Sequence, residues 1–183
     1  MGSASKQHGD YLAYHDREWA VPVHGEQALL ERLCLEAFQS GLSWLTILRK
    51  REGFRAAFAD FHPETVAAFG PDEVEALMQD AAIVRNRRKI EATVANAAAT
   101  IALRRHGGLD TAFWASRPTA HVRPASLDAV AASTAESTAL AKRLKIAGFA
   151  FLGPTTMYAA MQACGVVDDH IRGCFRATGS PAA

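Results

Sequence analysis

The stretch CLEAFQSGLSWLTILRK, residues 34–50, carries the end of one helical pattern and the start of the next. Apolar residues recur at helical spacing from Leu29 onward, and Gly41 is typical of the position just after a helix C-terminus. Ser43 can accept a hydrogen bond from the first turn of a second helix. The stretch therefore predicts two helices joined by a short turn.

The same periodicity continues along the chain, with helices predicted over about 89–105, 134–146 and 155–164. No segment shows the sustained alternation of Val, Ile, Thr or aromatic residues that is typical of strands. The predicted fold class is therefore all-α. The segment 116–135 is rich in Pro, Ser and Ala and is predicted to be a loop or a partly ordered connection.

The chain has 183 residues, 49% of them hydrophobic, which suffices for one domain or for two small helical lobes around a cleft. No apolar run reaches membrane-spanning length, and the first residues lack the pattern of a secretory leader, so a cytoplasmic protein with no membrane partner is expected. Three cysteines, Cys34, Cys164 and Cys174, are few and odd in number. They favour free thiols or a metal ligand over disulfides.

Positive charge is clustered although the net charge is only +1. RKREGFR (49–55), RNRRK (85–89) and KRLK (142–145) are separated by acidic or neutral sequence. Such clusters suit phosphate contacts along one face of a nucleic-acid-binding protein. The alternative is that these residues only solvate helix surfaces.

Glu36 is a charged residue at the edge of the apolar face of the first helix, three residues after Leu33. Burial of a carboxylate raises its pKa and removes its solvation, so the group needs a hydrogen-bond donor or a cation. Either Glu36 is satisfied within the protein, by capping a helix or pairing with an Arg or Tyr, or it binds a ligand.

Aromatic residues flank this carboxylate in the sequence. Tyr14 and Trp19 precede its helix, and Trp44 follows it. Stacking rings beside an acceptor suit a flat heterocycle that is electron-poor or cationic. The alternative is that the rings fill the core.

The motif DDHIRGC, residues 168–174, indicates a second site. His170 and Cys174 are four residues apart, so on a helix both side chains would face one way. A neutral imidazole and a thiolate are zinc ligands, and His15 is the best further candidate. Without that partner, His170 is better interpreted as a structural histidine.

The segment DAAIVRNRRKIEATVANA, residues 80–97, indicates two helices joined by a short turn, the second beginning with basic residues. Such a hairpin directs backbone N–H groups and positive charge at a phosphate. Many helical hairpins bind nothing, however.

Taken together, these motifs resemble the 3-methyladenine DNA glycosylase I family in order and spacing over about residues 11–174. The motifs that carry the resemblance are YHDREW, CLEAFQSGLSWLTILRKREGFR, DAAIVRNRRKIEA, FLGPTTMYAAMQACG and DDHIRGC. The resemblance implies an all-α helix-hairpin-helix glycosylase fold in which two helical lobes surround a base-binding cleft. Residues 1–183 would form a single domain, with the first eight residues outside its ordered part.

The resemblance also implies roles for individual residues. Glu36 would recognise the extruded base, in a pocket lined by Tyr14, Trp19 and Trp44. Gly41 and Leu42 would probe the DNA stack. The other residues implied are the hairpin's DNA contacts, Arg85, Arg87 and Lys89, and the ligands of a structural zinc ion, His15, His170 and Cys174.

The chain departs from the family's pattern at several positions. A Cys-x-Trp segment that would fall near Gly2 is absent, so the fourth zinc ligand is not identified. Either His8 replaces it, the site is incomplete, or no metal binds. Glycines of the family are replaced by Ala20 in the EWA string and by Ala82 and Arg88 in the hairpin, where the backbone must tolerate a Cβ atom.

The function implied is hydrolysis of the N-glycosidic bond of 3-methyladenine in double-stranded alkylated DNA, with the free base as product. No lysine is placed as a Schiff-base nucleophile, so strand cleavage is not expected. The protein is expected to act as a monomer. Two alternatives remain at this stage: a DNA-binding relative that has lost catalysis, and a zinc-stabilised interaction protein.

Overall fold

The computed structural model of the protein describes the backbone of residues 3–178 and the side chains of residues 9–177. This part of the chain contains nine α-helices and no strand, which confirms the predicted all-α class. The α-helices are α1 (Ser3–Arg17), α2 (Glu26–Gln39), α3 (Trp44–Ala57), α4 (Pro63–Ala67), α5 (Pro71–Gln79), α6 (Arg87–Leu103), α7 (Gly108–Trp114), α8 (Ala135–Ile146) and α9 (Pro154–Ala163). Short 3₁₀ turns lie at Ala59–Phe61, Arg104–His106, Leu127–Ala129 and Phe175–Thr178.

Helix α2 forms the centre of the fold. Its residues from Leu33 to Phe38 are all buried, so this part of the helix is covered on every side. Helices α4 and α5 pack on α6 in one lobe, and α8 packs on α9 in the other. Because α2 contacts both α6 and α9, it joins the two lobes.

The turn between α2 and α3 has the predicted chemistry. Gly41 has φ +83, a left-handed conformation that favours glycine. The Ser43 side chain accepts a hydrogen bond from the backbone N–H of Thr46 at 3.3 Å, capping α3. Helix α2 thus ends at Gln39, and α3 begins at Trp44, directly after Ser43.

The segment 116–135 is irregular apart from one 3₁₀ turn, as the sequence predicts, and it is held to the C-terminal part of the described chain. Arg123 pairs with Asp168, and Nε2 of His121 lies 2.9 Å from Oδ1 of Asp169. The segment therefore forms a strap across the end of α9.

Ala20 adopts φ 59, so the position that is glycine in the family pattern keeps its left-handed backbone despite the Cβ atom. Its N–H donates to the carbonyl of Gln162 at 3.1 Å, and Val23 donates to Cys164 at 3.1 Å. At Gly165 an added Cβ would lie 2.8 Å from the backbone nitrogen of Pro22. The two hydrogen bonds and the close approach of Gly165 to Pro22 attach the chain after α1 to the end of α9.

The first residues were predicted to lie outside the ordered domain. Residues 1 and 2 lie outside the described residues, whereas residues 3–8 form the first turns of α1. Among the described helices, none is both long and apolar enough to span a membrane.

Lys89, which was predicted from the sequence to contact DNA, is instead buried against the end of α2. Its side chain is only 7% exposed, and its Nζ donates to the carbonyl oxygens of Phe38, at 2.8 Å, and Ser40, at 2.7 Å. Its pKa is lowered by burial. Lys89 therefore neutralises the C-terminal end of α2, where helix carbonyls lack intrahelical partners, and does not reach a phosphate.

Replacing Lys89 with Met should lower the free energy of unfolding by about 1–3 kcal/mol, because the carbonyl oxygens of Phe38 and Ser40 lose their donor. Urea unfolding followed by circular dichroism measures the change. Arg88→Met is the matched control, since the side chain of Arg88 is exposed at the neighbouring position. Equal stability of the two variants would contradict the capping role of Lys89.

Candidate active site

A cavity of about 530 Å³ lies where α1, α2, α3 and α9 meet the strap and the segment after α9. Glu36, Tyr14, Trp19 and Trp44, which the sequence predicted for base binding, all line it. The other lining residues are Tyr11, His15, Gln39, Leu127, Val130, Ala159, Gln162, Asp169, His170, Ile171 and Cys174. The cavity is within the size range of small-molecule sites, roughly 300–1,000 Å³.

Glu36 is the buried carboxylate of this cavity, with 5% of the residue exposed. Its carboxylate forms no hydrogen bond or ion pair with any residue that the structure describes, so the internal pairing considered from the sequence is not seen. Burial raises its pKa from 4.5 to about 8, and the charge of Arg32, one helical turn earlier, opposes the rise. Arg32 itself donates to Glu18 at 3.1 Å.

Two aromatic rings form a corner beside Glu36. The ring centroids of Tyr14 and Trp44 are 5.2 Å apart, with an interplanar angle of 50°. The indole Nε1 of Trp44 is buried and has no hydrogen-bond partner in the described chain. Burial, and then the charge of Glu36, raises the pKa of the Tyr14 phenol, which therefore stays neutral.

Trp19 links the cavity to the cluster of His15, His170 and Cys174. Its ring lies edge-on to that of His170, at a centroid distance of 4.6 Å. Phe38, by contrast, faces away from the cavity and packs on Phe54 at 4.6 Å within the core. Tyr11, Tyr14, Trp19 and Trp44 thus line the cavity, and Phe38 belongs to the hydrophobic core.

The predicted metal ligands His15, His170 and Cys174 converge: their ligand atoms lie within 4.8 Å of one another. Asp16 accepts from Nδ1 of His15 at 2.7 Å, and Asp168 accepts from Nδ1 of His170 at 2.6 Å. These carboxylates suit the tautomer in which Nδ1 carries the proton and Nε2 can bind a metal, as in zinc sites whose ligating histidines are oriented by carboxylates.

The geometry of the cluster fits a zinc ion in two further respects. Nε2 of His170 is buried and has no hydrogen-bond partner among the described residues, and Nε2 of His15 lies 3.5 Å from Sγ of Cys174. Burial also lowers the pKa of His170, which favours the neutral ligand form. The side chain of His8, considered as a fourth ligand, lies outside the described part.

Gln162 and Asp169 line the cavity but were not predicted from the sequence as site residues. Asp169 is 3% exposed, and its Oδ2 accepts from the Tyr158 hydroxyl and from Nε2 of Gln162, both at 2.7 Å. The only sequence signal was a pair of acidic residues beside His170. Neither spacing nor composition could have shown that the second of them faces the cavity.

The residues predicted to contact DNA lie on the surface apart from Lys89. Leu42 is 41% exposed at the α2–α3 turn, next to Gly41. In the α5–α6 hairpin, Arg85 is exposed and forms no hydrogen bond or ion pair with any described residue, whereas Arg87 pairs with Glu75 at 2.6 Å. The structure thus leaves Leu42 and Arg85 free to meet a ligand.

A two-lobed helical fold, an exposed glycine–leucine turn and a cavity that combines a buried carboxylate with aromatic walls define a helix-hairpin-helix DNA glycosylase. The chain belongs to the methyladenine glycosylase family, whose model matches residues 4–177. It is 45% identical over 167 residues to DNA-3-methyladenine glycosylase 1 of Escherichia coli (strain K12), covering 90% of this chain and 89% of that protein.

Solved structures agree with this assignment. A crystal structure of 3-methyladenine DNA glycosylase I matches with a TM-score of 0.87 and 46% identity, covering 91% of this chain and 93% of the other. A tyrosine-to-phenylalanine variant of 3-methyladenine DNA glycosylase I in complex with 3-methyladenine matches with a TM-score of 0.85 and 34% identity, covering 90% of each chain.

Replacing Glu36 with Gln should stabilise the ligand-free protein at alkaline pH. Since folding raises the pKa of Glu36, ionisation of this carboxyl group destabilises the folded state. This loss of folding free energy is absent below pH 4.5, grows as the pH rises towards 8 and is constant above pH 8. The variant should therefore gain about 2–4 kcal/mol at pH 8 and little at pH 4.5. Urea unfolding at a series of pH values measures this.

Glu91→Gln, on an exposed position of α6, is the control and should show no such trend. A stability difference between wild type and Glu36→Gln that stays flat from pH 4.5 to 8 would show that the buried carboxylate is compensated within the protein.

Proposed function

We propose that this protein is a monofunctional DNA glycosylase that hydrolyses the N-glycosidic bond of 3-methyladenine in alkylated double-stranded DNA. The observation that carries the proposal is the Glu36 carboxylate, which is buried in the cavity without a hydrogen-bond donor from the described chain. A buried acceptor of this kind is satisfied when a ligand brings a donor or a positive charge.

The chemistry of the substrate explains why the groups in this cavity suffice for hydrolysis of the N-glycosidic bond. Methylation at N3 makes the purine cationic and a good leaving group, so the protein needs mainly to extrude and orient it. Glu36 accepts hydrogen bonds from the base, and the positive charge of the base favours the ionised form of Glu36. Tyr14 and Trp44 supply the aromatic surfaces, and water attacks the sugar as the bond to the base breaks.

The surface around the cavity supports DNA binding. Extruding a nucleotide costs a few kcal/mol, less for a damaged base, and leaves a gap in the stack. Leu42, which is exposed on the turn that follows α2, would fill this gap, and the exposed Arg85 would contact a phosphate. Arg87 would exchange its ion pair with Glu75 for such a contact.

We also propose that His15, His170 and Cys174 hold a structural zinc ion, which would cross-link α1 to the segment after α9. The ion would have no step in the reaction, because its role would be to fix Trp19 and the adjoining cavity wall. We also propose that the protein acts as a monomer. Its free cysteines are consistent with a reducing compartment such as the cytoplasm.

Release of free 3-methyladenine from methylated duplex DNA, quantified by chromatography, tests the proposed activity. Glu36→Gln should reduce the rate about 10- to 100-fold, because a charge-assisted hydrogen bond to the base is lost. Glu91→Gln should leave the rate unchanged. No release by wild type with retained DNA binding would favour a catalytically inactive relative, and failure to bind DNA at low salt would favour an interaction protein.

Metal analysis of the purified protein tests the zinc proposal. Wild type should carry about one zinc per chain and lose thermal stability on chelation, whereas Cys174→Ser should bind less metal and respond weakly to the chelator. His106→Gln, at an exposed histidine outside the cluster, should behave as wild type. Wild type without zinc and without any chelator effect would exclude the site.

A further inference from the structure

The network around Asp169 determines which way the amide of Gln162 points. Oδ2 of Asp169 lies 2.7 Å from the amide nitrogen of Gln162 and 2.7 Å from the Tyr158 hydroxyl, and Oδ1 lies 2.9 Å from Nε2 of His121. A carboxylate can only accept hydrogen bonds, so the group of Gln162 that faces Asp169 must be its NH₂. The amide oxygen of Gln162 is therefore turned away from Asp169.

This amide oxygen is an unused acceptor. Gln162 lines the cavity, as Glu36 does, and its Oε1 has no hydrogen-bond partner among the described residues. Glu36 comes from α2 and Gln162 from α9, so two different helices contribute a side chain with an acceptor oxygen to the lining of the same cavity. Trp44 supplies the buried indole N–H there.

We propose that Gln162, oriented by Asp169, determines specificity for adenine over guanine among bases methylated at N3. Adenine carries an amino donor at the position where guanine carries the O6 acceptor. The Gln162 oxygen would accept from the amino group of adenine. With guanine, the Gln162 oxygen and O6 would be two acceptors facing each other with no proton between them. Sites that rely on such hydrogen bonds strongly reject an analogue that cannot form them.

Asp169 acts here as a positioning residue, and the strap contributes to its position. His121 belongs to the strap, and Tyr158 and Gln162 belong to α9, so the carboxylate is held from two elements. The inference rests on the proposed glycosylase activity and adds the residue pair that would set its base preference.

Competition between the two methylated bases tests the inference. Duplex DNA carrying both 3-methyladenine and 3-methylguanine is incubated with each variant, and the initial rates of release are compared as a ratio. Gln162→Met removes the acceptor and keeps the apolar volume. It should lower the adenine-to-guanine ratio about tenfold. Gln79→Met, on an exposed position of α5, is the matched control and should keep the ratio of wild type.

Asp169→Asn tests the orientation itself. An asparagine at this position can donate to the Gln162 oxygen, which lets the amide turn over and present its NH₂ to the cavity. The ratio should again fall, here mainly through faster release of 3-methylguanine. Urea unfolding shows whether both variants fold. If Asp169→Asn does not fold, the release ratio measured with Gln162→Met decides whether the inference holds.

A ratio unchanged in Gln162→Met would overturn the inference while leaving the proposed activity intact. If wild type releases no base, the proposed function fails, and quenching of tryptophan fluorescence by free 3-methyladenine and 3-methylguanine replaces the rate ratio. A preference for the adenine in wild type that is lost in Gln162→Met would then support the role of Gln162. Equal binding of both bases by wild type would overturn it.

Discussion

The burial of the Glu36 carboxylate in the central helix is the constraint around which the site is organised. A carboxylate at 5% exposure with no hydrogen-bond donor from the described chain destabilises the folded state in its ionised form. The rest of the fold must therefore hold α2 firmly enough to keep this group in place. Helices α3, α6, α7 and α9 all contact α2 and supply that support.

Lys89 links the packing of helices around α2 to the exposed turn between α2 and α3. Its ammonium group neutralises the carbonyl end of α2 between Glu36, inside the cavity, and Leu42, on the exposed turn. One buried cation from α6 thus stabilises the segment that carries both the group proposed to bind the base and the group proposed to enter the DNA stack. It acts together with the local turn, in which the N–H of Leu42 donates to the carbonyl of Gln39 at 2.7 Å.

Some of the site followed from local patterns in the sequence. The helix ends at Gly41 and Ser43 and the burial of Glu36 agree with what spacing and residue chemistry predict, because they depend on residues that recur on one helix face. His15, His170 and Cys174 converge as their ligand chemistry indicates. The helical spacing considered for His170 and Cys174 is not seen, since both lie in the irregular segment between α9 and the last 3₁₀ turn. The wrong assignment was Lys89, because a lysine within a basic cluster looks the same whether it is solvated or buried.

By itself, the sequence determined the helical class, the ends of the helices around residues 35–44 and the set of groups able to bind a base or a metal, because these depend on short-range periodicity and residue type. The resemblance of its motifs indicated the family. Only the tertiary structure decided which of those groups meet. It turned Lys89 inward and brought Gln162, Asp169 and the strap to the wall of the cavity that Glu36 also lines. Contacts between distant segments depend on packing and on the pairing of buried polar groups, which no local spacing encodes.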